Sequence, residues 1–261
     1  MSKLGGVDFP AALKERRASR RLSQLELALR AGTTQRYLSF IESGRSAPGR
    51  EMVIRLAESL GLPLRERNEL LLKAGYAPAY PQTPLDGPDL APVLTALTHI
   101  LDGHMPYPAI VIDRYGEIVA ANAGQRILTE GCAEHLHSNA YRLALHPDGM
   151  ASRIANFAEW AWHVLNAMAA ELDRNPDERL AALHAELSRY VPPARIAPGH
   201  LGFAVPLELR TSHGELRLMT TITSFATAVD VTISELKLEA FLPADEATAA
   251  ALTGRVEAEL R

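Results

Sequence analysis

Three short patterns in this chain have residue types and spacing that could carry chemistry. His184-Ala185-Glu186 matches the start of a zinc-deaminase signature, but that chemistry needs two cysteines and the chain has only Cys132. His135-Leu136-His137 offers two imidazoles, yet alternate residues can share a metal only on a strand, and no third ligand accompanies them. They are expected to be surface histidines. No nucleophile elbow, phosphate-binding glycine loop or paired-histidine zinc motif occurs. The expectation is therefore no enzyme, no catalytic residue, no metal and no cofactor. The third pattern is Thr34-Gln35-Arg36. Glutamine can bond an adenine edge through two atoms, and arginine a guanine edge. Such side chains reach bases only when the first turn of a helix presents them.

The surrounding elements supply that helix. Residues 9–18 form a first amphipathic helix, with Phe9 and Leu13 facing inward. Ser23 and Glu26 have capping-box spacing and open a second helix, with Leu25 and Leu29 expected on its buried face. Gly32 ends it where left-handed backbone is wanted. Thr33 is expected to cap a third helix over about 34–43, with Leu38 and Ile41 inward. Two more helices, over 49–60 and 64–74, end at Gly61 and Gly75. The spacing is the informative part. Two helices crossing steeply need a small residue, Ala28, then a glycine four positions on, then apolar residues six and nine positions later. All four requirements are met in register.

Residues 9–75 thereby resemble the five-helix domain of the phage-repressor, or XRE-type, family. Ser23-Gln24-Leu25-Glu26-Leu27-Ala28 is similar to that family's second-helix opening, and Tyr37-Leu38-Ser39-Phe40-Ile41-Glu42-Ser43-Gly44-Arg45 to its third helix and exit. The resemblance implies a third helix in the major groove of double-stranded DNA, with Gln35 and Arg36 at base edges. Phe40 falls on the same face, either against a thymine methyl or packed on the next helix. Gln24, Thr34, Ser39 and Arg45 are placed to meet phosphates, which position without reading sequence. Glu42 is assigned a structural role and Tyr37 a place in the core. Arg16, Arg17, Arg20 and Arg21 are expected to form a solvated helix face.

The net charge of −4 is unevenly shared. Residues 1–80 carry 14 Lys and Arg against 8 Asp and Glu, a net of +6, which leaves 13 against 23, or −10, for the rest. A basic module joined to an acidic one is consistent with a single polyanion-binding half. Five prolines, Pro78, Pro81, Pro84, Pro88 and Pro92, lie between Tyr76 and the second half and describe a semi-rigid extended linker. The expected organisation is 1–76 as the helix-turn-helix domain, 77–92 as linker, and 93–261 as a second domain. No apolar run is long enough to cross a bilayer and the N-terminus lacks a signal peptide's apolar stretch, so a cytoplasmic, nucleoid-associated protein is expected.

The second half mixes strands and helices. A helix over 90–101 precedes strands over 109–113 and 117–122, joined by the turn Asp113-Arg114-Tyr115-Gly116. Helices follow over 152–172 and 177–189. Strands over 203–210 and 215–225 flank Ser212-His213-Gly214, a hairpin signal, and a last strand is expected over 231–241 before a helix opened by Asp245. This is an α+β layout. The segment from Val111 to Asn122 is similar to the opening hairpin of PAS domains. The longer stretch 108–252 resembles the MmyB-type ligand-binding domain, on Arg153-Ile154-Ala155-Asn156-Phe157-Ala158-Glu159-Trp160 and the segments 221–225 and 230–232. That resemblance implies a PAS-like pocket for a small, mainly apolar molecule such as a fatty acid.

The fold class expected is thus an all-α five-helix domain followed by an α+β PAS-like domain. Candidate pocket walls are Phe157, Trp160, Trp162, Leu165, Met168, Phe203, Met219 and Phe225, with Arg153 and Asn156 facing a ligand head group or bonding backbone at the sheet edge. Two functions follow. One is a sequence-specific, dimeric transcription regulator that senses a small apolar ligand. The other is a DNA-anchored module whose second domain docks a protein and holds no small ligand. An apolar cavity of roughly 300 Å3 or more favours the first, and a filled core with an exposed apolar patch the second.

Overall fold

The computed structural model describes residues 9–192, 205–212, 214–225 and 227–259. The expected pocket residue Phe203 and hairpin residue His213 lie outside them. The chain divides into two compact units, Met1–Thr83 with Ala226–Ser234, and Pro84–Phe225 with Glu235–Arg261.

In the first unit five helices, α1 (Phe9–Ser19), α2 (Gln24–Arg30), α3 (Gln35–Glu42), α4 (Arg50–Ser59) and α5 (Leu64–Lys73), surround one apolar core. The capping box that opens α2 is complete: Ser23 Oγ accepts from Glu26 N, and Glu26 Oε2 accepts from Ser23 N at 2.7 Å. Gly32 turns the chain between α2 and α3 with φ +61°. Leu13, Leu38 and Ile41 are fully buried. Two details differ from the sequence reading. The buried face of α2 is Leu27 and Ala28, while Leu25 and Leu29 are 51% and 69% exposed. The cap of α3 is Thr34, whose hydroxyl accepts from Tyr37 N at 3.2 Å, rather than Thr33.

One carboxylate ties three of these helices. Glu42, at the end of α3, accepts from Arg17 Nε at 2.7 Å and Arg17 Nη2 at 3.0 Å, and from Gln24 Nε2 at 2.8 Å. Its side chain is only 3% exposed, and Arg17 completes its own bonding on the Leu22 carbonyl. Arg16 pairs with Glu66 and Glu69. Arg16 and Arg17 therefore belong to packed ion pairs and not to a solvated face, because each acidic partner comes from another helix. The proline segment after α5 begins by folding back: Asn68 bonds Ala79 N, Tyr80 N and the Tyr80 carbonyl. The unit also takes in Asp230, whose carboxylate accepts from Thr83 N and Thr83 Oγ1.

The second unit opens with a 3-10 turn, Pro88–Leu90, and α6 (Ala91–Gly103), followed by β1 (Ala109–Ile112), β2 (Ile118–Ala121), α7 (Arg126–Thr129), α8 (Ala140–Leu145), α9 (Phe157–Arg174), α10 (Glu178–Ser188), β3 (Leu207–Thr211) and β4 (Gly214–Ser224). A short α11 (Val231–Glu235) precedes β5 (Lys237–Pro243) and α12 (Glu246–Glu259). The last strand thus begins later than expected: Asp230 Oδ1 accepts from Thr232 N and Ile233 N and starts a helical turn instead. Likewise α9 begins at Phe157, since Met150–Arg153 forms a 3-10 turn. The fold class is the one expected, five helices and then an antiparallel five-stranded sheet with helices.

The sheet order is β2-β1-β5-β4-β3, so the last strand in sequence lies in the middle. Strand residues alternate between faces. On one face Ala109, Val111, Leu238 and Ala240 pack with Leu97 and Leu101 of α6. On the other, Ile110, Ile112, Leu216, Leu218 and Phe241 join the core formed with α7 to α10. Buried Asn122 fastens β2 to this frame by donating to the Leu101 and Tyr107 carbonyls and accepting from Ala109 N.

Replacing Glu42 by Ala removes the partner of a nearly buried arginine and should destabilise the first unit by about 3 kcal/mol. Glu69→Ala, at the exposed end of the Arg16 pair, should cost less than about 1 kcal/mol. Chemical denaturation of the two variants checks this ordering; equal losses would contradict it.

Candidate functional site

Two surfaces stand out, a helix face in the first unit and a cavity in the second. On α3, Gln35 and Arg36 occupy the exposed first turn, where backbone N–H groups also point outward. Phe40, half-buried one turn on, lies between two guanidinium groups, with Arg36 at 5.5 Å and Arg45 at 6.0 Å from its ring centroid. The aromatic ring thus supports both cations by its negative face. Gln24 stands beside this surface. Its amide donates one bond to Glu42, and Nε2 carries a second hydrogen free for another acceptor. Ser39 lies on the same helix, and Thr34 spends its hydroxyl on the cap.

The cavity, of about 320 Å3, lies between α9, α8 and the face of the sheet that carries Ile110, Thr220, Ile222, Lys237, Glu239 and Phe241. Its apolar wall includes Leu128, Leu143, Met150, Trp160, Val164 and Met168. Exposed His163, Ala167 and Ile222 mark its mouth. Trp160, Val164, Ala167, Met168 and Glu171 follow helical spacing, so α9 presents one continuous stripe to it. Tyr141 is placed by α8, whose cap Asn139 accepts from Arg142 N and donates to the Tyr115 carbonyl. Gly116, at φ +80°, lets the Tyr141 ring lie where any side chain at that turn would stand.

The charged lining is unevenly partnered. Arg114 is held by Asp177 at 3.4 Å and Glu235 at 3.3 Å. Glu171 is bonded to Arg174 and Asn175. Glu239, midway along the central strand, pairs in register with Ile110 on one side and Ile222 on the other. Its carboxyl has no hydrogen-bond or ion-pair partner among the described residues. Burial pushes its pKa up to about 7 from an ordinary 4.5, opposed only by the charge of Lys237. Burial likewise raises the Tyr141 phenol.

Of the residues expected to wall a pocket, Trp160 and Met168 line this cavity. Arg153 does not: its guanidinium donates to the Ile127 and Leu128 carbonyls. Asn156 is spent at the sheet edge, on the Pro206 carbonyl and Glu208 N. Phe157 and Leu165 pack against the surrounding core, and Trp162 stacks edge-on with His163. Met219 alternates with Leu218 and Thr220 and so leaves the cavity face, and Phe225 packs with the α6 layer behind the sheet. Tyr141, Thr220, Lys237 and Glu239 were missed. Lys237, Glu239 and Phe241 do alternate with Leu238, Ala240 and Leu242, but that pattern by itself gives two faces without saying which one meets a cavity.

A helix-turn-helix family model matches residues 13–67, and the MmyB-like transcription regulator ligand binding domain matches residues 93–253, more than half of the chain. The chain belongs to the MmyB-like transcription regulator family. Its first unit is an XRE-type DNA-binding domain and its second a ligand-binding domain. No curated protein matches the chain. Among the described residues no helix is long and apolar enough to cross a membrane, and no cluster of three or more metal-ligating side chains occurs.

Proposed function

We propose that this MmyB-like regulator is a sensor in which a small, mainly apolar molecule occupies the cavity of the second domain and alters how the first domain meets its operator. The observation that carries the reading is the apolar cavity of about 320 Å3 in a domain joined by chain to a DNA-reading helix. A filled core would have favoured a protein-docking module. The resemblance implies a molecule such as a fatty acid, and what the α9 stripe of Trp160, Val164 and Met168 suits is the apolar chain of such a molecule, whatever its head group. Gln35 and Arg36 meet base edges, while Gln24, Ser39 and Arg45 meet phosphates, with Phe40 orienting Arg36 and Arg45. Thr34 adds its exposed N-terminal position. One such helix reads few bases, so two copies bind a roughly palindromic site. The protein acts as a regulator at the nucleoid and not as an enzyme.

The DNA half is tested on an operator selected from random sequence. Arg36→Ala should lose about 1–3 kcal/mol on that operator and relax one base position, whereas Gln24→Ala should weaken all sequences alike. Equal losses on selected and random DNA for Arg36→Ala would show that no base is read there. For the ligand half, protein stripped of lipid is melted with and without long-chain fatty acids, alcohols or cell-extract fractions. A bound ligand at hundredfold excess over its Kd stabilises the folded form by about 2.7 kcal/mol and raises the Tm of the second domain. No shift with any of them would leave the docking module as the better account.

A further inference from the structure

The cavity is apolar along its body but polar on its sheet side, and that polar part is unsatisfied. Thr220 Oγ is buried without a hydrogen-bond partner. Among the described residues the Tyr141 hydroxyl and the Glu239 carboxyl also have none, although both residues line the cavity. Polar groups inside folded proteins are ordinarily bonded, and three polar side chains without a protein partner on the wall of one apolar cavity mark where a ligand's polar end fits. Glu239 dominates by charge. The cavity lining carries one arginine and one lysine. Arg114 already serves Asp177 and Glu235, and Lys237 faces Glu239 itself from the same side of β5. A carboxylate head would therefore add a second negative charge around one lysine.

We propose that the cavity is built for an amphiphile whose head group donates hydrogen bonds, an amine or a hydroxyl, received by Glu239 together with Tyr141 and Thr220, and that it discriminates against a free carboxylate head. The inference rests on the apolar-ligand reading above and specifies its head group. An amine or hydroxyl hydrogen satisfies the carboxyl oxygen of Glu239, and the hydroxyls of Tyr141 and Thr220 can each donate or accept as the head requires. A carboxylate can enter only when Glu239 holds a proton and donates it in a hydrogen bond. Its binding is then tied to proton uptake, in a field set by Lys237 on β5, Arg114 on the β1–β2 turn, Tyr141 on α8, and His163 and Glu171 on α9.

The test uses the full chain stripped of lipid and three probes of one chain length, decylamine, decanol and decanoate, titrated by calorimetry below their micelle concentrations. One pH unit above neutrality, the amine and alcohol should bind about tenfold more tightly than decanoate, the difference expected for one unpaired buried polar group. Lowering the pH to one unit below neutrality should strengthen decanoate binding by about tenfold, as Glu239 takes up its proton, and leave decanol unchanged. E239Q should erase both the preference and the pH dependence, and T220V should weaken decanol binding without creating a preference for decanoate. Decanoate binding as tightly as decanol at the higher pH would overturn the proposal, as would an unchanged order in E239Q. Failure of all three probes to bind would instead count against the apolar-ligand reading itself. The pH series on the unmodified protein stands even if E239Q does not fold.

Discussion

The central strand of the sheet has to satisfy two layers at once. β5 is flanked by β1 and β4, so both of its edges are hydrogen-bonded, and its two faces meet different layers, α6 on one side and the cavity under α8 and α9 on the other. Leu238 and Ala240 fill the layer against α6, and close packing there leaves no room for polar atoms. The alternate residues, Lys237, Glu239 and Phe241, face a layer that the helices do not fill. A carboxylate on that face would be costly in a packed core, and the cavity leaves it room for a polar partner such as the head group proposed above. The same constraint explains the supporting turns. Asp113 Oδ1 bonds Tyr115 N and Glu117 N, which shapes the β1–β2 turn and sets Gly116 beneath the Tyr141 ring.

The first unit follows the opposite logic. Where α1 meets α3 and α5 its charged groups are packed into ion pairs, while Arg36 at the start of α3 stays exposed. Glu42 collects Arg17 and Gln24, so α1, α2 and α3 share one junction. On the proposed reading, that rigidity serves a helix presenting Gln35 and Arg36 at fixed spacing, since a site on stiff elements loses little entropy on binding. Phe40 extends the same principle to the surface by backing the Arg36 and Arg45 guanidinium groups.

What could be read from the sequence was what local chemistry decides. The Ser23–Glu26 box, the left-handed Gly32 and the buried Leu38 and Ile41 all depend on neighbours within a few positions. The phase of α2 did not yield to the same reasoning, because seven residues make too few turns to separate the face of Leu25 and Leu29 from that of Leu27 and Ala28. In the second unit hydrophobicity identified residues that are inside without telling which interior they face. Phe157 and Phe225 are apolar and belong to packed layers, while Trp160 and Met168 meet the cavity. Glu239 was illegible for a different reason. A charged residue alternating with leucines ordinarily marks a solvent face, and only the placement of α8 and α9 over that face makes it a cavity wall.

β4 and β5 both carry cavity residues, and the chain joining them passes through the segment around Asp230 that packs on Thr83 in the first unit. On the sensor reading proposed above, a ligand in the cavity would act on strands joined by chain to a segment of the first unit. An effector alters a second site only by binding its two states differently, and such coupling typically amounts to a factor of about 5–150. The direct measurement is the operator Kd of lipid-stripped full-length protein, with and without a saturating cavity ligand. The account predicts a change within that range, together with an equal change in ligand affinity when operator is bound. An operator Kd that does not move while the cavity is demonstrably occupied would contradict it.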